Sequence, residues 1–180
     1  MGRKGQSAME YLMTYGWAIL VIIIVIAVLF YIGVLNPRNV TPSTCTFPPG
    51  ISCASYKLIE GSNPLKSGNL ELTLGQALGH PISITGLVCT QETGAPSNWD
   101  VSGFNTSSPI PIPIGEARKV SGSDVNQQIY CLDSNGNRVQ PPQSQLGEFY
   151  KGKLWIRYSE TDTNTERTVV GDIATKFETG

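Results

Sequence analysis

The sequence predicts an α+β chain, one long N-terminal apolar helix followed by an antiparallel β-sandwich. Three observations carry this. Residues 11–37 hold no charged side chain. Beyond them, apolar residues recur with period two rather than 3.6. Gly, Pro, Asn and Ser separate those alternating runs, as turns separate strands.

The helix comes first. Arg3, Lys4 and Glu10 are the only charges before Arg38, and Trp17 to Leu35 is an unbroken apolar run. At about 1.5 Å per residue this run spans roughly 28 Å, close to the hydrocarbon thickness of a bilayer. Its Val and Ile residues are β-branched, but a backbone in lipid must satisfy its own hydrogen bonds, so a helix is predicted. Tyr11, Tyr15 and Trp17 at one end and Tyr31 near the other suit the two interfaces. Asn36-Pro37 ends the element, because a proline disfavours helical geometry at the residue before it. Arg3 and Lys4 place the N-terminus in the cytoplasm and the remainder outside. A secretory signal peptide is the simpler alternative. However, the run exceeds the usual 7–15 residues of such a segment, and no small-x-small site follows near Gly33-Val34-Leu35.

The outer part spans residues 37–180 with net charge −2, enough chain for one core. Asn36 to Pro49 reads as the connection. Leu70, Leu72 and Leu74 alternate with polar residues, as do Ile82 and Ile84. Ile129-Tyr130-Cys131-Leu132 is a short buried run. Leu154, Ile156 and Tyr158 face one way, and Val169, Gly171, Ile173, Thr175 and Phe177 form a last series. Pro109-Ile110-Pro111-Ile112-Pro113 lacks ladder donors at its prolines and is expected at an edge or on the surface.

Composition narrows the function. The chain has 180 residues, 15% charged against roughly 25% in ordinary soluble domains, and a net charge of −1. No excess of positive charge is present for nucleic acid. A mean hydropathy of −0.07 argues against many spans. Four cysteines, Cys45, Cys53, Cys89 and Cys131, lie on the outer side, where disulfides persist. Of three possible pairings, Cys45–Cys53 is favoured because it closes a tight loop around Pro48-Pro49-Gly50, and Cys89–Cys131 because it ties two strands. Zinc is the competing use, but there is no C-x-x-C pair and His80 is the only histidine. Neither a metal nor a cofactor is expected.

Asn39-Val40-Thr41 and Asn105-Thr106-Ser107 are sequons for glycosylation. Asp133-Ser134-Asn135-Gly136-Asn137 echoes a calcium loop. Arg138 and Ser144 stand where Gly and Glu are needed, so an Asn-Gly hairpin turn is expected. Asp162-Thr163-Asn164 reads as a turn between the last strands. His80, before Pro81, reads as a loop or surface residue. No catalytic constellation is apparent, and an enzyme is not expected.

Lys4-Gly5-Gln6-Ser7-Ala8-Met9-Glu10-Tyr11-Leu12, ahead of the apolar helix, resembles the class III signal peptide of archaeal type IV pilin-like proteins, the superfamily that includes archaellins. The resemblance covers about 30 residues, and the outer domain resembles the family only in architecture. Ala8 stands where the family often has Ser. It implies a leader of residues 1–5 recognised through Arg3 and Lys4, and cleavage between Gly5 and Gln6 by a prepilin peptidase. It also implies a core helix over 6–36 and a lollipop-shaped subunit. Cleavage removes two cations, so the mature charge is −3. The new α-ammonium of Gln6 is costly in an apolar bundle unless paired, and Glu10, one helical turn on, is the implied partner. Implied partners are identical or related pilin subunits, an assembly ATPase and a membrane platform, with the membrane holding the precursor. The implied product is a filament at the cell surface. Two alternatives share the helix: a membrane-anchored or minor pilin-like ligand-binding protein, and an archaellin-like motility subunit.

Overall fold

The computed structural model describes residues 4–31, 42–60, 68–122, 125, 127–140 and 149–178. Two compact units appear, Met1–Thr41 and Pro42–Gly180. Unit one contains a single described element, helix α1 (Lys4–Tyr31).

Unit two holds nine strands among the described residues: β1 (Thr44–Thr46), β2 (Ile51–Glu60), β3 (Gly68–Gln76), β4 (Ile82–Thr90), β5 (Ile110–Ile112), β6 (Ala117–Ser121), β7 (Ile129–Leu132), β8 (Phe149–Glu160) and β9 (Glu166–Glu178). The alternating runs at 70–74, 82–84, 154–158 and 169–177 all lie in strands with the expected face inward, and the short buried run at 129–132 is a strand as well. Leu70, Leu72, Leu74, Ile82, Ile84, Leu154, Ile156, Ile173 and Phe177 are buried in one cluster. Val169 packs against its rim. The proline-rich segment forms β5, which among the described residues pairs only with β4 and leaves Pro111 exposed.

The arrangement of strands differs from the expected antiparallel sandwich. β2, β3, β7, β4, β8 and β9 pair in succession, and β9 pairs back to β2, so six strands close a barrel. Two of its six contacts are parallel, β4 with β7 and β2 with β9. The cause is strand length. β3, β4 and β9 are long enough to carry two partners along one edge: β6 and β7 on β3, β5 and β7 on β4, β1 and β2 on β9. The outer partners take one part of each edge and leave the rest to close the ring. Period-two patterning requires one buried face, and a closed barrel meets that requirement as well as a sandwich does.

The closure at β7 is narrow. This four-residue strand makes two register pairs with β3 and two with β4. Cys89 and Cys131 are register partners there and form a disulfide, both fully buried. The Tyr150 hydroxyl donates to Leu132 O at 2.9 Å and lies 3.6 Å from Cys89 Sγ. Burial pushes the Tyr150 phenol far above its ordinary range, with the Asp133 charge adding to the effect, so it remains a neutral donor. Gly152 makes room for this ring: a Cβ there would stand 2.6 Å from Tyr150 Oη and 2.8 Å from Thr90 O.

Candidate functional site

Helix α1 runs 28 residues without a proline. Thr14 Oγ1 donates to Glu10 O at 2.8 Å, the back-bond that suits a hydroxyl inside a helix. Tyr11 and Tyr15, one turn apart, hold ring centroids 4.4 Å apart. Met9–Tyr31 is long and apolar enough to cross a membrane, with a mean hydropathy of 2.7 over its most apolar window. Its 23 residues extend about 35 Å.

The large side chains of this stretch are exposed on every face. Ile19, Leu20, Ile22, Ile23 and Ile24 are all more than half exposed, and consecutive positions cover the full helical circumference. A helix apolar all round belongs in lipid or inside a bundle. Within this apolar cylinder Glu10 is the single charged side chain described, and it is exposed. The expected processing residues Lys4, Gly5 and Gln6 lie in the first turns of α1, with their side chains outside the described set; Arg3 lies outside the described residues.

On unit two, the disulfides Cys45–Cys53 and Cys89–Cys131 both form, with Cα separations of 6.0 and 4.6 Å. Asn39 lies outside the described residues. Asn105 is exposed at the start of a turn: its Oδ1 accepts from Ser107 N at 3.0 Å, and its carbonyl accepts from Ser108 N at 3.1 Å. Buried Gln127 grips this turn, accepting from Asn105 N at 2.7 Å and donating to Asn105 O and Ser108 O. Gln76 does the same elsewhere, joining His80 O, Ile112 O and Leu78 N. Neither glutamine stands out in the sequence. A polar residue inside an apolar alternation was the only available signal, and it does not say which backbone groups the side chain meets.

The Asp133 loop is the expected Asn-Gly hairpin turn. Gly136 takes φ 77°, and Asp133 Oδ1 accepts from Asn135 N and Asn137 N at 2.8 and 2.9 Å. Those bonds, that from the Asn137 amide foremost, hold the Asp133 carboxyl below its usual range. Asp162-Thr163-Asn164 turns between β8 and β9, with Asn164 at φ 51° and its amide bonded to Glu160 O. In that hairpin Glu160 accepts from Thr163 Oγ1 at 2.9 Å and Arg167 Nε at 2.6 Å, and its carboxyl is lowered, the Thr163 bond contributing most. His80 is half exposed in the β3–β4 loop, 3.5 Å from Asp162. The loop after β4 lays Trp99 against Gly86, with Arg157 5.0 Å from its ring. A groove of about 360 Å³ crosses the outer face of β2, β3 and β6 where Gly75 lies between Ser52 and Ala117. Among the described residues, no group of three or more His, Cys, Asp or Glu side chains is placed to hold a metal ion.

Comparison with protein-family models, with curated proteins and with solved structures finds no match.

Proposed function

We propose that this chain is a structural subunit of an archaeal type IV pilus-like filament, used for adhesion or surface attachment. The carrying observation is α1: an apolar cylinder exposed on every face, bearing one carboxylate, with Lys4-Gly5-Gln6 in its first turns. Insertion puts the helix in the membrane. A prepilin peptidase cuts between Gly5 and Gln6 and removes Arg3 and Lys4, the charges that held the N-terminus in the cytoplasm. The helix can then leave the bilayer and pack against other copies, driven by an assembly ATPase and a membrane platform. In that bundle Glu10 neutralises a Gln6 ammonium and sets register. The disulfide-bonded barrel forms the outer coat. Asn105, on its exposed turn, would carry a glycan there. No step of this scheme calls for catalysis by the chain itself.

Mass spectrometry of the mature protein tests the reading. A mature N-terminus at Gln6, open or cyclised, is the expected result. One near Asn36 would mean a secreted domain and would end the filament reading. Abundance decides between the related forms: a major subunit dominates sheared surface filaments, whereas an anchored ligand-binding form stays with membranes.

A further inference from the structure

We infer that the Cys45–Cys53 disulfide is a mechanical latch, which carries tension from the N-terminal tether past β1 and into the barrel. The inference deepens the filament reading, in which every pull on the outer domain returns along the chain through residues 32–41 to α1.

β1 is the first strand the tension meets, and it is poorly built to resist. It has three residues, its Thr44 and Thr46 side chains are exposed, and only Cys45 packs against the core. Among the described residues its one ladder is with β9, antiparallel, Thr44 opposite Ala174 and Thr46 opposite Asp172. The incoming end of β1 therefore lies beside the outgoing end of β9. Pulling those two ends apart opens an antiparallel ladder one pair at a time, so each hydrogen-bonded pair meets the load alone.

The disulfide changes the route. Tension reaching Cys45 crosses to Cys53, and residues 46–52 are bypassed. Cys53 belongs to β2, which makes nine register pairs with β3. β2 also runs parallel to β9, Leu58 opposite Phe177 and Ile59 opposite Glu178. Parallel strands pulled from opposite ends are loaded in shear, which strains all their bonds together. One covalent bond thus replaces an unzipping path with a shearing path. The other disulfide, Cys89–Cys131, joins β4 to β7 and stands off this route.

The test uses the full chain in lipid nanodiscs, with covalent pulling tags inserted after Thr41 and after Gly180. Constant force is held below that which unfolds the barrel, and dithiothreitol is added. Its thiolate attacks one sulfur of the pair and forms a mixed disulfide, and the other cysteine leaves as a thiolate. The freed span, eight residues in sequence and 6.0 Å between Cα atoms at the start, then lengthens by about 2 nm. The expected result is that step, before barrel unfolding, at a rate that climbs with force. A rate independent of force, or no step before unfolding, overturns the latch. Cys45→Ser with Cys53→Ser should show the same extension at low force without reductant; a variant that folds but shows no early extension also overturns it. If that variant does not fold, the reductant experiment on the native chain decides. A mature N-terminus near Asn36 would end the filament reading, and these force measurements would still report on the latch.

Discussion

Replacing Cys89 and Cys131 together by Ala should destabilise the outer domain by about 4 kcal/mol, the chain-entropy value for a loop of this length. The bond spans a sequence separation of 42, and the unfolded chain regains that freedom when it is removed. The folded strand keeps its other ties, among them two pairs to β3, two to β4, the Tyr150–Leu132 hydrogen bond and the amide bonds from Tyr130 to Ser102 O and from Val139 to Cys131 O, so the loss is the unfolded-chain contribution alone. A loss of this size is a large share of the roughly 5–15 kcal/mol typical of a folded domain. Replacing Cys45 and Cys53 should cost less, about 2.6 kcal/mol, since that loop is only eight residues long. The assay is urea unfolding of the full chain in detergent, followed by the fluorescence of Trp99 and Trp155. Trp17, on α1, supplies a constant background that a Trp17→Phe variant removes. The ranking is the sharp part. A smaller loss from the buried pair than from the β1–β2 pair would refute the claim that barrel closure depends on Cys89–Cys131.

Three further outcomes follow from particular side chains. Glu10→Ala should leave membrane insertion intact and abolish or strongly reduce filaments, measured by electron microscopy of sheared surface fractions; normal filaments would remove the ammonium-pairing role. Gln127→Leu strips the Asn105 turn of the three hydrogen bonds that Gln127 makes to it and should destabilise the domain by about 1–3 kcal/mol, with faster hydrogen exchange at Asn105 NH as the local readout. The Asp133 carboxyl is held below its ordinary value of 3.8, so its support of the hairpin is complete above that pH and is lost as pH falls through the lowered value. Asn137 NH exchange should therefore accelerate only at strongly acid pH in the native chain, and at every pH in Asp133→Ala.

The legible parts of the sequence were those where one local rule suffices. The uncharged run from Tyr11 to Pro37 marks α1 because lipid and helix impose the same condition on consecutive residues. Four alternating runs lie in strands for a similar reason. β2 escaped because a register shift between Cys53 and Ser55 breaks its alternation, leaving Ile51 and Leu58 inward but out of simple phase. β1 escaped because it has three residues, two of them exposed and polar, and β6 because Val120 is its one large buried apolar side chain. Both disulfides follow the favoured pairing, yet the pairing alone does not tell that Cys89 and Cys131 sit on a parallel contact. The barrel was not legible for a deeper reason: closure is decided by which parts of the edges of β3, β4 and β9 remain free after β6, β5 and β1 have paired. No single strand encodes that.

The two units place different demands on their surroundings. In the barrel, apolar side chains meet one another, and Gln76, Gln127 and Tyr150 satisfy backbone groups from within the same fold. Helix α1 reverses this: its backbone is satisfied along the helix, and its large apolar side chains are exposed. At roughly 25 cal/mol per Å² of apolar surface, leaving such a helix in water costs many kcal/mol. Lipid relieves that cost and so does a bundle of like helices, and in the proposed filament the bundle would also give Glu10 a fixed counter-charge. The unmet demand of the chain is therefore concentrated in one helix and one carboxylate. That is why substitution at Glu10, and not on the barrel face, is the change that should separate folding of the subunit from its assembly.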